Sequence, residues 1–136
     1  MSWQTTEDTI RQRWVVQIVG NTTPALPTIY ENQERDKPQI GHWARLAIIP
    51  GESRQVSIGD TSIRFRRHGI IMVSLFEEIG RGTKNLNILA DQVVVAFRSL
   101  IISSIHYRTP TIVRVGRTAN WWQLNVDCPF FSDEIV

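Results

Sequence analysis

Between Trp121 and Cys128 the side chains alternate. Trp122, Leu124, Val126 and Cys128 fall on one face of an extended chain, and Trp121, Gln123, Asn125 and Asp127 on the other. That pattern commits the segment to a strand with one apolar face, and an apolar sheet face needs a cover. A second segment supplies one. Leu86, Leu89, Ala90, Val93, Phe97 and Leu100 recur at three- and four-residue steps, the signature of an amphipathic helix, with Asp91, Gln92 and Arg98 off the stripe.

The other elements follow from similar patterns. Near the N-terminus Ile10, Trp14, Val15 and Ile18 mark a first helix, capped by Thr5 or Thr6, with Glu7 and Asp8 in its first turn and Gly20-Asn21 at its end. Arg11, Arg13 and Gln17 are expected to face solvent. Residues 22–40, punctuated by Pro24, Pro27 and Pro38, read as irregular, apart from a short extended piece at Thr28–Glu31 that pairs at a sheet edge. Trp43 to Ile49 reads as a strand stopped by Pro50-Gly51, and Gln55 to Ile58 as a short strand before a turn at Gly59-Asp60-Thr61. Ile63 to Arg67 reads as a half-exposed ribbon. Ile70 to Phe76 is a central strand and Glu77 to Thr83 a glycine-bearing loop. Thr111 to Val115 is a further strand, joined by a turn at Arg117–Asn120 to the strand ending at Cys128. Pro129 is expected to end pairing and leave Phe130 to Val136 as a tail. The fold class is α+β: a mainly antiparallel mixed sheet with two helices packed on one face.

The length of 136 residues fits one domain, residues 1–136. No apolar run is long enough for a transmembrane helix, and the first eight residues lack the pattern of a signal peptide. A single cysteine, Cys128, excludes an intrachain disulfide. The formal net charge of +2 is too small to mark a nucleic-acid binder by itself. Thirteen of the fifteen basic residues are arginine, the side chain suited to planar interface contacts, a bias that a GC-rich genome also produces.

No catalytic constellation emerges. His42, His68 and His106 stand apart, Gly80-Arg81-Gly82 lacks the rest of a phosphate loop, and Glu77 and Glu78 point to opposite faces of an extended chain. Cys128 lies on the apolar face of its strand, where a thiol is inert. Three features invite a partner. Arg64, Arg66 and Arg67 form a basic ribbon across from Arg54, either a charged guard on a sheet edge or a docking surface. Trp3, Trp121 and Phe131 fall at outward or terminal positions in a chain with five tryptophans. The polar stretches 21–40 and 130–136 are candidates to reach a neighbour.

Taken in order, the N-terminal helix, Ile29-Tyr30-Glu31-Asn32, Trp43 to Pro50, the arginine ribbon, Ile70 to Phe76, the helix with Leu89-Ala90-Asp91, and Trp121 to Phe130 resemble the tail terminator proteins of long-tailed bacteriophages and related gene-transfer particles. The resemblance spans about the whole chain. It implies a structural virion protein of the tail and neck, made in the host cytoplasm, with no catalysis, no cofactor and no membrane contact. It further implies a homo-hexameric ring that caps the tail tube protein, ends its polymerisation, joins the head-tail connector protein, and lets genomic DNA pass its lumen without sequence-specific binding. Within that role Arg54, Arg64, Arg66 and Arg67 are the candidates for contact with the tube, and Trp121, Gln123, Phe130 and Phe131 for the subunit interface. The competing readings are another neck or head-completion ring protein, a small nucleic-acid-binding module built on the ribbon, and a small enzyme.

Overall fold

The computed structural model describes residues 2–21, 26–32, 41–55, 64–102 and 104–135. Helix α1 (Trp3–Gln17) begins one turn earlier than the threonines predicted, because Ser2 is the cap: its hydroxyl accepts the Thr5 N–H at 3.2 Å. Thr6 lies inside the helix, buried, with its hydroxyl donating to the Ser2 carbonyl at 3.0 Å. Glu7 and Asp8 therefore sit in the second turn. Ile10, Trp14 and Ile18 are buried at steps of four, whereas Val15 is rotated off that stripe and is 45% exposed.

Seven strands form one sheet among the described residues: β1 (Thr28–Tyr30), β2 (Trp43–Gln55), β3 (Arg64–Glu78), β4 (Ile101–Ile102), β5 (Ile105–Tyr107), β6 (Thr111–Thr118) and β7 (Trp121–Ile135). Their order is β1-β2-β3-β7-β5-β4, with β6 also paired to β7. Only β1 against β2 is parallel. Helix α2 (Lys84–Phe97) crosses between β3 and β4. The architecture is the expected α+β one. Ala44, Leu46 and Ile48 of β2, Ile71, Val73 and Leu75 of β3, and Leu124, Val126, Cys128 and Phe130 of β7 share a core with Ile10, Trp14 and Ile18 of α1 and Leu86, Leu89, Ala90, Val93 and Phe97 of α2. Arg13 clamps the two helices by donating from Nε to the Ala96 carbonyl at 2.6 Å, where the last turn of α2 carries partial negative charge.

Both prolines expected to stop strands are instead inside them. Pro50 lies in β2, which runs on to Gln55 through a register shift between Pro50 and Ser53. β1 lines only Ala44 to Leu46, so the missing N–H of Pro50 falls on an edge that needs no donor. Where β1 stops, the Glu31 carboxylate takes its place and accepts the Ile48 N–H at 2.5 Å. Pro129 occupies the corresponding gap in β7. One edge of β7 pairs with β6 from Trp121 to Asp127 and with β5 from Phe130 to Ser132, and Pro129 sits where the partner changes. Its carbonyl accepts the Arg108 N–H at 2.9 Å. Residues 130–135 are thus strand and not tail. Glu77 and Glu78 close β3 and do not open the loop. The expected strand at 55–58 lies outside the described residues beyond Gln55, as do the turn at 59–61 and most of 22–40.

Gly69 has the tightest surroundings of the described glycines. It pairs with Phe130, whose ring covers it: a Cβ there would lie 2.5 Å from Phe130 Cζ and 3.1 Å from the Ile49 carbonyl oxygen. Gly69→Ala is expected to destabilise the protein by about 1–3 kcal/mol through overpacking. In a Phe130→Ala background the same change is expected to cost much less, since its main clash is gone. Urea midpoints of the four proteins check this, and equal costs in both backgrounds would show that the ring does not set the requirement.

Candidate assembly surfaces

The sheet face away from the helices carries most of the predicted site residues, in two clusters. In the first, Trp43 and Phe76 stack with centroids 4.0 Å apart and rings 9° from parallel. Trp121 meets Trp43 edge-on at 5.8 Å, and the Arg45 guanidinium lies over both stacked rings. Trp43 and Phe76 are thereby buried on a face that has no helix over it. Trp121 and Gln123 are half-buried. Gln123 accepts from the Thr118 hydroxyl at 3.0 Å and donates to Asn125 Oδ1 at 2.8 Å, which ties β6 to β7 on that face.

Phe131 centres the second cluster. Its ring stacks on His106 at 4.4 Å, His68 lies 5.9 Å away, and the guanidinium carbons of Arg66 and Arg108 stand 4.4 Å and 5.0 Å from its centroid. Phe130, its neighbour, points the other way. It is 1% exposed and stacks near Trp3 at 6.2 Å, so it belongs to the protomer core and is not a free contact residue.

The arginine ribbon has three strands, not two, because β7 runs beside β3 to Ile135. That third strand brings acids. Arg66 donates to both oxygens of Asp133, at 2.9 Å and 3.3 Å, and Arg67 pairs with Glu134 at 2.6 Å. Arg54, opposite Arg66 across β2 and β3, pairs with Glu52 at 3.1 Å. Arg64 and Arg66 share the open face, while Arg67 points to the helix side. The hydrogen bonds from Arg66 hold the Asp133 carboxyl below its ordinary range, with Arg64 and His106 adding their fields. Arg54, Arg66 and Arg67 thus have their charge matched locally.

Other groups considered for chemistry are accounted for by packing. Burial pushes the Cys128 thiol up to about 12, so it stays protonated and unreactive. Glu77 is buried on the helix side with Oε2 3.8 Å from His42 Nδ1, and Glu78 pairs outward with Arg81 at 2.6 Å. Among the described residues no group of three or more His, Cys, Asp or Glu could hold a metal ion, and no helix is long and apolar enough to cross a membrane.

Two exposed surfaces were not singled out from sequence. Apart from half-buried Gly116, every residue of β6 is exposed, including Ile112, Val113 and Val115 at 45%, 41% and 47%. On α2 a second, outward stripe carries Ile88 and Val95, 47% and 58% exposed. The spacing of Ile88 and Val95, seven residues apart and off the core stripe, was the available signal.

A family model described as phage tail terminator protein matches residues 9–130. No curated protein matches the chain. Six chains of solved structures do. One of them is 17% identical over 93% of this chain and 94% of its own, with a TM-score of 0.67, which establishes a shared fold.

The Arg66–Asp133 pair sets a pH dependence. Asp133 has its carboxyl lowered in the folded state, so the pair contributes stability above the ordinary aspartate range near pH ~4 and loses it as pH falls through the folded value. Asp133→Asn is expected to be less stable than wild type at pH 7, with the difference vanishing in acid. Thermal melts across pH 2–7 (about that span) check it, and a difference that persists unchanged at the acid end would contradict it.

Proposed function

Because the chain belongs to the phage tail terminator family, we propose that this structural protein of the virion tail forms a ring, six-membered on the family resemblance, that caps the tail tube and ends its polymerisation. The same ring joins the head-tail connector and lets the genome pass through its lumen. A ring of identical copies needs head-to-tail contacts, in which each subunit offers two different patches. The observation that carries the reading is the family match over 9–130, which takes in α1 from Thr9 onward, all of α2 and the sheet as far as Phe130 in β7. The open sheet face supports it, because it presents half-buried Trp121, Gln123 and Phe131 with neither described helix over them.

Contact with the tube is assigned to the outer end of the ribbon, Arg54 and Arg64, which are exposed, more than to Arg66 and Arg67, which are half-buried beside Asp133 and Glu134. The local matching of these charges also weighs against a nucleic-acid-binding module, whose affinity comes from cations left to neutralise phosphates. Another ring protein of the neck would bind the portal side and not the tube.

Tube protein polymerising alone gives tubes of unrestricted length. Added protein is expected to halt growth at one end, visible by electron microscopy as capped tubes that no longer elongate. The double variant Arg54→Glu/Arg64→Glu is expected to keep its fold by circular dichroism and lose capping. Tubes that keep growing in the presence of wild type would overturn the terminator reading. Normal capping by the double variant would remove the ribbon from it.

A further inference from the structure

We propose that β6, the outer strand of the arm it forms with the first half of β7, seats in one copy on the outer groove of α2 in the next copy. The inference rests on the ring reading above and names the two unlike patches that such a ring requires. In the protomer β6 pairs, among the described residues, only with β7, and its other edge is open over eight residues. An exposed strand of this length with Ile112, Val113 and Val115 on its surface is an invitation to association, which monomers avoid by shortening, covering or charging their edges. Here Arg114 and Arg117 supply charge, which argues against another strand adding to the edge and for a partner with acceptors.

The faces can be assigned from the register. Ile112, Arg114 and Arg117 pair with Val126, Leu124 and Trp122 of β7, so all three lie on the helix-side face of the arm. The extra residue at Val115, next to Gly116 at φ +94°, bulges the strand and keeps Arg117 on the same face as Arg114. This face of the arm is therefore apolar at one end and doubly cationic at the other.

The groove is complementary. Ile88, Asp91 and Val95 follow one another at three- and four-residue steps on the outer side of α2, with Gln92 four residues from Ile88 and three from Val95. With Gln17 and Ala96 they line a depression of about 400 Å³. Its walls are apolar at Ile88, Val95 and Ala96, and its one charge is Asp91. Gln92 Oε1 is buried there with no hydrogen-bond donor among the described residues, and rotation about its last torsion turns it toward an arriving guanidinium. Ile112 with two cations on one surface thus meets apolar side chains with an anion and an orphaned acceptor on the other. The arm belongs to the sheet layer and the groove to the helix layer, so the contact joins two unlike patches, as a head-to-tail ring requires.

Ile112→Cys and Val95→Cys test the pairing, since buried Cys128 leaves a background without reactive thiol. The two variants, mixed at high concentration with a short bismaleimide, are expected to give a cross-linked dimer that neither gives alone. Placing Arg114→Asp in the Ile112→Cys copy is expected to lower the yield ~10-fold, the loss of roughly one charge-assisted contact. Adding Asp91→Arg to the Val95→Cys copy is expected to restore it. If the mixture gives no dimer while wild type shows a ring mass at the same concentration, the contact is wrong and the ring reading stands. If wild type is monomeric there and no dimer forms, both fall. A dimer from either variant alone overturns the head-to-tail contact.

Discussion

The pairing of β3 with β7 holds the molecule together. Both strands are fifteen residues long, and they run antiparallel without a register shift from Arg64 opposite Ile135 to Glu78 opposite Trp121. Because side chains alternate along a strand, one register decides everything on both faces. Ile71, Val73 and Leu75 meet Cys128, Val126 and Leu124 under the helices, while Phe76, His68 and Arg66 meet Gln123, Phe131 and Asp133 on the open side. A slip by one residue would send the core outward and the ion pairs inward. Gly69 guards the register, since only a residue without a side chain fits beneath the Phe130 ring.

This strand pair outruns the helices that cover it. α1 and α2 shield its middle, but β2 beyond Ile48 and nearly all of β6 have exposed side chains. The protein handles its two uncovered ends differently. At the β2–β3 end the exposed residues are mainly polar, and each of Arg54, Arg66 and Arg67 lies against an acid. Such pairs contribute little to stability when solvated, but they keep the ribbon from carrying a strong field. At the β6 end the exposed residues include three branched aliphatic side chains, and the acids within the strand are absent. An uncovered apolar strand gains free energy from a partner, whereas a balanced charged ribbon gains specificity from one.

Much of this was legible in the sequence. The period-two run at 121–128 and the helical stripe from Leu86 to Phe97 fixed the layers, and Thr28–Tyr30 pairs at the edge where it was placed. The misreadings share a cause. Pro50 and Pro129 stop a strand only where their missing N–H is needed by a neighbour, and whether a neighbour is there depends on pairing partners distant in sequence. β4 and β5 escaped notice because two- and three-residue strands hold too few side chains for a period to show. The extension of β7 past Pro129 then decided two site residues: it turned Phe130 into the core and gave Arg66 and Arg67 their acids. A basic ribbon read from one hairpin is a different object once a third strand lies beside it.

β7 also ties the two uncovered ends to each other. Its C-terminal half is the third strand of the arginine ribbon, and its N-terminal half is the second strand of the β6 arm. The direction in which the arm leaves the body, relative to the ribbon, is set by the twist that accumulates along one continuous strand. In a head-to-tail assembly the rotation between neighbours decides whether the chain of contacts closes and after how many copies. If the arm carries the subunit contact and the ribbon faces the tube, ring size and docking orientation are then fixed by the same rigid element. A hinge between those surfaces would let the rotation vary from copy to copy. A core-packed strand, held from Leu124 through Phe130 beneath the helices, permits one value.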